Sequence, residues 1–333
     1  MQDHYGHRIS YLRVSITDRC NERCSYCMPQ ELQEWLPRHE ILTYEETLRL
    51  IRIAAELGVS KVRITGGEPL TRRGIVDFVR QVPEIPGMTS IGLSTNGTLL
   101  AREISPGKTM AEALRDAGVQ SVNISLDTLD GAVYSQITGR DFHAQVIDGI
   151  DAAIAAGFDQ IKLNAVLMRG RNEDQLLPLI EFAAARNLLL RFIELMPVST
   201  TEVLSESNFM SVMEAKRLVE SAYGNLIPET EFRTNGPATY YQIPGRAQRV
   251  GFIGAMTNMH FCENCNKLRL TCDGKLRPCL GSYLEFDIMG PLRAGASDEQ
   301  LKQFFLNVVD RKPREHDFRN NYQPNRKMIA IGG

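Results

Sequence analysis

The sequence lacks three features that would place the protein in a membrane, on nucleic acid or outside the cell. No stretch approaches 18 uninterrupted apolar residues, so no membrane-spanning helix is expected. The net charge is only −2, which argues against a generally basic surface for nucleic acid or anionic lipid. The opening residues MQDHYGHRISYL do not have the charged-then-apolar pattern of a signal peptide. We therefore expect a soluble, cytoplasmic protein in which any basic site is local.

The chain has seven cysteines, an odd number. Structural disulfides are rare in the cytoplasm, so another use of the thiols is expected. Six of the seven fall into two clusters, at 20, 24 and 27 and at 262, 265 and 279, and Cys272 is left over. An odd count divided into tight groups favours metal binding.

Short strand-like runs alternate with helical patterns through the first two thirds of the chain. The runs are LRVSIT (12–17), VRIT (62–65), IGLSTN (91–96), VNISL (122–126), IKLNAVL (161–167) and LRFIEL (190–195). Helical patterns lie between them, at 43–58, 109–118, 148–157 and 176–187. The alternation indicates βαβ units and a parallel sheet. The sequence has no second glycine fingerprint of the kind that marks a dinucleotide-binding fold. Six units therefore favour an α/β fold of the incomplete (β/α)6 TIM-like barrel type, and a doubly wound open sheet is the alternative.

The pattern changes from about residue 200. A helix predicted over 205–224 would close the first domain, and short β-like pieces and a helix near 298–310 follow it. We expect residues 1–222 to form the partial barrel and residues 223–333 to form a smaller C-terminal domain.

The predicted strands carry a polar face. Parallel strands covered on both sides normally read as continuous apolar runs, but these alternate. The polar positions are Arg13, Ser15, Thr17, Arg63, Thr65, Ser94, Asn96, Asn123, Ser125, Asp127, Lys162, Asn164 and Arg191. A packed barrel is filled with branched apolar side chains, so we expect this interior to hold a polar and anionic molecule instead. An antiparallel sheet with one solvated face would need hairpins, for which the connections are too long.

The first cysteine cluster, C-x3-C-x2-C, directly follows the first predicted strand, where parallel α/β enzymes place their chemistry. Zinc motifs typically use paired C-x2-C or C-x2-H units, which this spacing does not match. The spacing suits an iron–sulfur cluster, which normally takes four protein ligands. With three ligands, one iron would keep an open site for a small chelating molecule.

Two motifs resemble those of radical S-adenosylmethionine (SAM) enzymes: the C-x3-C-x2-C loop with Tyr26 before its last cysteine, and TGGEPL at 65–70. The resemblance implies that Cys20, Cys24 and Cys27 hold a [4Fe–4S] cluster whose unique iron binds the methionine moiety of SAM. Electron transfer would then release a 5′-deoxyadenosyl radical. The resemblance also places Tyr26, Gly67, Ser125 and Met196 at SAM-binding positions.

The second group, CENCNKLRLTCDGKLRPC (262–279), again offers three ligands unless Cys272 joins to close a four-cysteine zinc site. Strand parity puts Cys272 on one face with Leu268 and Leu270, which predicts a small core residue rather than a ligand. Across the Asp273-Gly274 turn, a two-residue loop would pair Cys279 with Leu268, and a three-residue loop would pair it with Arg269. The sequence leaves this register open.

The second group and many longer motifs are similar to the GTP 3′,8-cyclase family of molybdenum cofactor biosynthesis, a family of radical SAM lyases. The matching stretches include RVSITDRCN, RITGGEPL, NISLDTLD, IKLNAVLMRG, RFIELMPV, DGKLRPCL and the terminal IGG. The resemblance implies a second [4Fe–4S] cluster on Cys262, Cys265 and Cys279. It places GTP at Arg13, Arg63, Ser94, Lys162, Lys267 and Arg269, and it implies catalytic roles for Arg269, Gly332 and Gly333 in an inserted tail.

Three departures from the family pattern are visible. Ser94 stands where threonine is common, Lys267 stands where arginine is commoner, and 99–118 is a longer link expected to enlarge a surface loop near Ser105-Pro106-Gly107.

The resemblance implies that the radical removes hydrogen from the ribose C3′ of GTP and that the C3′ radical then bonds to guanine C8. Reduction of the resulting radical by one electron and one proton would give (8S)-3′,8-cyclo-7,8-dihydroguanosine 5′-triphosphate. It also implies a flavodoxin-like or ferredoxin-like reductant and transfer of the product to cyclic pyranopterin monophosphate synthase. No nucleic-acid or membrane partner is expected, and a homodimer is left open. The alternatives are a radical peptide-modifying enzyme and a zinc-bearing nucleic-acid module.

Overall fold

The computed structural model describes residues 1–28, 34–199, 204–320 and 322–332. The strands are β1 (Tyr11–Ser15), β2 (Lys61–Thr65), β3 (Ser90–Thr95), β4 (Glu103–Ser105), β5 (Lys108–Thr109), β6 (Ser121–Ser125), β7 (Gln160–Leu167), β8 (Leu189–Glu194), β9 (Ile227–Pro228), β10 (Thr239–Gln242), β11 (Arg249–Ile253), β12 (Lys267–Leu270), β13 (Lys275–Arg277) and β14 (Phe286–Asp287). The helices are α1 (Tyr44–Glu56), α2 (Ile75–Gln81), α3 (Met110–Asp116), α4 (Gly131–Thr138), α5 (His143–Ala155), α6 (Leu176–Ala185), α7 (Val212–Tyr223), α8 (Met289–Arg293), α9 (Asp298–Asp310) and α10 (Met328–Ile331).

The strands predicted from the sequence form the parallel centre of one large sheet. Its order is β14-β13-β12-β1-β2-β3-β6-β7-β8-β11-β10-β9. From β1 to β8 each new strand of the sheet is added on the same side, whereas a doubly wound sheet reverses direction at a switch point. The incomplete (β/α)6 barrel is therefore confirmed, and the doubly wound alternative was wrong.

The helices cover the outer face of the sheet because that face is apolar. Leu12, Val14, Val62, Ile64 and Ile124 are at most 1% exposed within the main core. The helix starts follow local capping rules. Thr43 and Thr109 each form a capping box with a glutamate three residues later, before α1 and α3. The helix expected from residue 205 begins only at Val212, because the Ser211 side chain caps it.

The C-terminal strands continue the same sheet at both ends. β12 pairs in parallel with β1, and β11 pairs in parallel with β8. Leu268, Leu270 and Phe305 belong to the same buried core as the barrel strands. The division at residues 222 and 223 stays a prediction, and the sheet itself runs across it.

The long link after β3 forms the expected surface extension. β4 and β5 pair as a small hairpin with Pro106 and Gly107 at its tip, and residues 103–107 are exposed. Within the described part of the chain, no helix is both long enough and apolar enough to cross a membrane.

Candidate active site

The inner face of the partial barrel encloses a cavity of about 860 Å³. This volume is within the range of small-molecule sites. The polar residues predicted to face inward line it, among them Arg13, Arg63, Ser94, Asn123 and Lys162. So do both cysteine triplets, which lie in loops at the edge of the strands. The topology therefore gathers the basic residues and the two thiol groups around one space.

The strand registers arrange the cations in rows. Arg13 is in register with Arg269 on β12 and with Arg63 on β2. Two residues earlier, Tyr11 is in register with Lys267 and Lys61. Side chains two residues apart on a strand share a face, so the two rows project into the cavity together.

The cationic side chains that line the cavity form no ion pair with a carboxylate of the described residues. Arg63, Lys162, Arg191 and Arg269 are each less than a tenth exposed. Among the described residues, no ion pair within 4.0 Å involves them, Arg13 or the half-buried Lys267. Buried charges are normally paired, because an uncompensated one is costly. The cavity is therefore electrostatically suited to a polyanion.

The pKa values reflect this crowding of charge. Burial, with Arg191 and Arg63 nearby, lowers the pKa of Lys162 to about 6. Burial and Arg13 lower the pKa of Arg269 to about 9. A bound anion would relieve both effects, because it favours the protonated forms.

Cys20, Cys24 and Cys27 lie in the loop that follows β1. Burial raises the pKa of Cys20, and a hydrogen bond with Cys27 together with burial raises that of Cys24. The Cys24 thiol lies 3.6 Å from Glu22 Oε2. The three thiols are thus half-buried and face the cavity from one short loop.

The loop after β2 packs directly on this cysteine loop. The Gly67 N–H donates to the Thr17 carbonyl at 2.8 Å, and a Cβ at Gly67 would overlap the Arg19 carbonyl oxygen. Only glycine permits this approach. Gly67, Tyr26, Ser125 and Met196, the residues expected to bind SAM, all line the cavity.

Two buried carboxyl groups near this loop were not assigned a role from the sequence. Asp127 Oδ2 accepts from the Tyr26 hydroxyl at 2.7 Å, and burial raises the pKa of Asp127 to about 6. Glu68 accepts from the Asn96 N–H at 2.7 Å and the Thr95 hydroxyl at 2.8 Å, and burial raises its pKa to about 7. Asp127 thus fixes Tyr26, and Glu68 fixes the loop after β2. Both residues follow a predicted strand closely, and this position is the sequence signal from which a role in the site could have been predicted.

Cys262, Cys265 and Cys279 line the same cavity and lie near enough to influence one another's charge. Burial, with Cys279 and Cys265 nearby, raises the pKa of Cys262 to about 11. Burial raises the pKa of Cys265, but Lys312 and Lys267 lower it, and the net change is a lowering. The Lys312 ammonium is buried here and donates to the carbonyls of Pro278 and Lys267.

The hairpin between β12 and β13 corrects both pairings expected for Cys279. Arg269 pairs with Arg277 and Leu270 with Leu276, and Thr271 closes a three-residue loop with Lys275. Continuing this register places Cys279 opposite Lys267, so the pairings with Leu268 and Arg269 were both wrong. The loop begins one residue earlier than expected because Cys272 belongs to the turn.

Cys272 is 0% exposed and is not among the cavity-lining residues. Within the described ranges, no three candidate ligands converge on a point suited to a single metal ion. In a [4Fe–4S] cluster each cysteine binds a different iron, so such a cluster takes thiols that are spread apart.

The C-terminal tail reaches the basic floor of the cavity, which is formed by the two rows of in-register side chains on β12, β1 and β2. Arg269 Nη1 donates to the Gly332 carbonyl, and Gly332 packs against Thr65 and Ser15. Gly333 lies outside the described residues, so its placement stays a prediction. The tail is anchored by Arg326, which contacts Asp273 at 2.8 Å and Glu285 at 2.7 Å.

Two further residues of the cavity were not assigned a role from the sequence. Arg191 lay on the predicted polar face and donates to Asn164 Oδ1 at 2.9 and 2.6 Å. Tyr11 precedes the predicted first strand by one residue. Tyr11 lies two positions before Arg13, and residues two apart on a strand share a face, so the sequence could have placed Tyr11 on the inner face.

Comparisons with known proteins agree with this geometry. Residues 14–183 match the Radical SAM superfamily, and residues 188–318 match the family Molybdenum Cofactor Synthesis C. The chain is 45% identical over 333 residues to a GTP 3′,8-cyclase of Moorella thermoacetica, and 43% identical over 333 residues to one of Pelotomaculum thermopropionicum, covering all of both proteins and of this chain.

Solved structures share the fold. Streptococcus suis SuiB with the precursor peptide SuiA gives a TM-score of 0.62 at 17% identity, covering 96% of this chain and 67% of that one. Native anSMEcpe with bound AdoMet gives 0.58 at 13% identity, covering 92% and 82%. Sequence identity over the full length, two matching families and the shared barrel lead to one assignment: the chain belongs to the GTP 3′,8-cyclase family of the Radical SAM superfamily.

Proposed function

We propose that this protein converts GTP to (8S)-3′,8-cyclo-7,8-dihydroguanosine 5′-triphosphate, the first step of molybdenum cofactor biosynthesis. The observation that carries the proposal is a set of buried cations, none of them ion-paired with a carboxylate in the described part of the chain, in a cavity bordered by two cysteine triplets. A triphosphate supplies the missing negative charge, and guanidinium groups bind its oxygens in pairs. The two relatives that match the chain over their full length are both named GTP 3′,8-cyclase.

Membership of the Radical SAM superfamily implies a [4Fe–4S] cluster and SAM. We propose that Cys20, Cys24 and Cys27 hold this cluster, and that Tyr26, Gly67, Ser125 and Met196 contact SAM. The donor set fits, because three thiols leave one iron for a small chelator and the loop after β2 is held against them by glycine. When bound, the pair supplies a 5′-deoxyadenosyl radical, and that chemistry belongs to the cofactor.

A second [4Fe–4S] cluster on Cys262, Cys265 and Cys279 is part of the proposal. The buried Lys312 ammonium next to these thiols supports it, since a positive charge favours the thiolate forms that bind iron. Lys312 has no carboxylate within ion-pair distance among the described residues, so its charge is directed at the thiols.

The chain's own residues bind and orient the substrate. In the proposed complex the triphosphate is held by Arg13, Arg63, Ser94, Lys162, Lys267 and Arg269. Arg269 also binds the Gly332 carbonyl, so one side chain couples the substrate to the tail. The tail covers this end of the cavity with Met328 and Ile329, which helps to exclude water during the reaction. Gly332 and Gly333 are the tail residues proposed to act in cyclisation.

The proposed partners follow from the chemistry. The cluster needs a one-electron donor, for which we propose a flavodoxin-like or ferredoxin-like protein, and the product passes to cyclic pyranopterin monophosphate synthase. The proposal uses six cysteines as cluster ligands and leaves Cys272 buried in the core, so it needs no disulfide and suits a reducing compartment such as the cytoplasm. A homodimer is proposed as the assembly to look for by light scattering.

The test is the release of 5′-deoxyadenosine by anaerobically reconstituted protein with SAM and a strong reductant, with and without GTP. We expect release that rises with GTP and a cyclised GTP product of unchanged phosphate number. Lys162→Met should abolish the GTP effect, whereas Lys108→Met, at a surface ion pair with Asp116, should not. Release that is indifferent to GTP would refute the substrate and favour a radical peptide-modifying enzyme, and an iron-loaded chain that releases none would refute the radical assignment.

A further inference from the structure

Tyr11 occupies the centre of the basic floor of the cavity. It is the first residue of β1, it is 4% exposed, and it lines the cavity. Lys267 and Lys61 flank it in register, and Arg13 lies two residues further on the same face. Its hydroxyl is therefore surrounded by cations on three adjacent strands.

The strongest contact of Tyr11 is with Arg63. Arg63 Nε donates to the Tyr11 hydroxyl at 2.6 Å. The two terminal nitrogens of Arg63 donate to the Leu93 carbonyl at 2.7 Å and to the Ser121 hydroxyl at 3.0 Å. A guanidinium has five N–H bonds; the described residues accept three of those of Arg63, which leaves one on each terminal nitrogen. A fork with one free N–H on each tip is suited to a single phosphate group.

The space for this fork exists because residue 92 is glycine. A Cβ at Gly92 would lie 2.5 Å from Arg63 Nη2 and 2.6 Å from its Cζ. The guanidinium is thus held on one side by Tyr11 and on the other by bare backbone and Ser121. It has little freedom to turn away when the cavity has no ligand.

Tyr11 also faces two other cations. Lys267 Nζ lies 5.6 Å from the centre of its ring. Burial raises the pKa of the phenol, but Arg63 and Arg13 lower it, and the net change is a lowering. The Arg13 Nε is buried and has no hydrogen-bond partner among the residues that the structure describes. A phenol orients these groups without cancelling their charge, whereas a carboxylate would form ion pairs and weaken the attraction for a polyanion.

We propose that Tyr11 is a positioning residue for the phosphate chain of the substrate, and that it acts by fixing the Arg63 fork toward the cavity while leaving the positive charge of the floor intact. The inference rests on the proposed function only for the identity of that substrate as GTP. Its chemical basis, a preoriented guanidinium for a triphosphate, applies to any ligand with the same phosphates.

The test uses the full-length, reconstituted protein and two probes, GTP and inorganic triphosphate, with binding measured by equilibrium dialysis. Tyr11→Phe keeps the ring and removes only the hydroxyl. We expect the dissociation constant of both probes to rise about 5- to 30-fold, the range that corresponds to about 1–2 kcal/mol. KM for GTP should rise by a similar factor, with a smaller change in kcat. Tyr44→Phe removes a hydroxyl that contacts the Arg73 carbonyl outside the cavity, and it should bind both probes like the parent protein.

A double-mutant cycle separates positioning from general damage. In an Arg63→Met background, Tyr11→Phe should weaken triphosphate binding by less than about twofold, because the group that it orients is gone. An equal loss in both backgrounds, or unchanged binding in Tyr11→Phe alone, would overturn the proposal. Thermal melting of each variant checks that it is folded.

The triphosphate probe keeps this inference separate from the proposed function. If the parent protein forms no cyclised product from GTP but Tyr11→Phe still loses triphosphate binding, the positioning role is supported and the proposed substrate is refuted. GTP turnover with normal triphosphate binding in Tyr11→Phe would do the reverse.

Discussion

Gly332 has φ +74° and ψ 99°, a backbone conformation that residues with a side chain rarely adopt. A Cβ at this position would lie 2.7 Å from the Thr65 methyl carbon and 3.2 Å from Ser15 Cβ. Backbone strain of this kind costs about 1–3 kcal/mol, and overpacking costs about 1–3 kcal/mol more. Because the tail is not a strand of the sheet, the strain is relieved by undocking the tail rather than by unfolding the barrel.

Gly332→Ala should therefore lower cyclisation more than stability. Even about 2 kcal/mol reduces the ratio of docked to undocked tail about 30-fold. For a cost of this size we expect cyclised product per minute to fall by up to about 30-fold, measured by chromatography after anaerobic reaction with saturating GTP and SAM. Iron content and the thermal midpoint should stay close to the parent values.

The matched control for this substitution is Gly295→Ala. Gly295 also has a positive φ of +87°, but a Cβ at this position would meet no atom within 4 Å, so it tests backbone strain without a clash in the cavity. Its product yield should match that of the parent protein. A Gly332→Ala protein that cyclises GTP at the parent rate would refute the argument that the docked tail is required.

Three other changes test separate parts of the site. Lys162 should take up a proton when triphosphate binds at pH 8, because its pKa of about 6 leaves it mainly neutral before a bound phosphate favours the cation. Calorimetry in two buffers of different ionisation enthalpy should detect this uptake. The Lys162→Met variant should not show it. Cys279→Ala should lose about four irons per chain whereas Cys272→Ala keeps them, and equal iron loss in the two would contradict the ligand assignment. Arg326→Met removes the ion pair of the partly buried Asp273 and leaves Glu285 paired with Arg277 alone, so it should free the tail, with faster carboxypeptidase trimming and at least about tenfold less product. Arg293→Met, at a more exposed ion pair, should show neither effect.

The repeating part of the fold could be predicted from local patterns. All six strand runs are strands, because apolar and polar residues alternate with the period of an extended chain. The same alternation correctly predicts that Arg13, Arg63 and Lys162 lie on the inner face. The surface extension near Gly107 was expected because 99–118 is longer than the usual link of the resembling family.

Other features depend on contacts between distant segments. The β12–β13 register is set by a turn that includes Cys272, a buried residue whose role in the loop is not visible in its own sequence context. The fork of Arg63 depends on Tyr11, Gly92 and Ser121, which come from three different strands.

By itself, the sequence determined the alternating strands and helices, the polar face and the two groups of three cysteines, because periodicity and spacing are properties of one segment at a time. Only the tertiary structure decided between the barrel and an open sheet, which cations meet, that the described residues give them no ion-paired carboxylate, and that Gly332 reaches Arg269. Those outcomes depend on strand order and on the path of the tail, which bring residues far apart in the chain into contact.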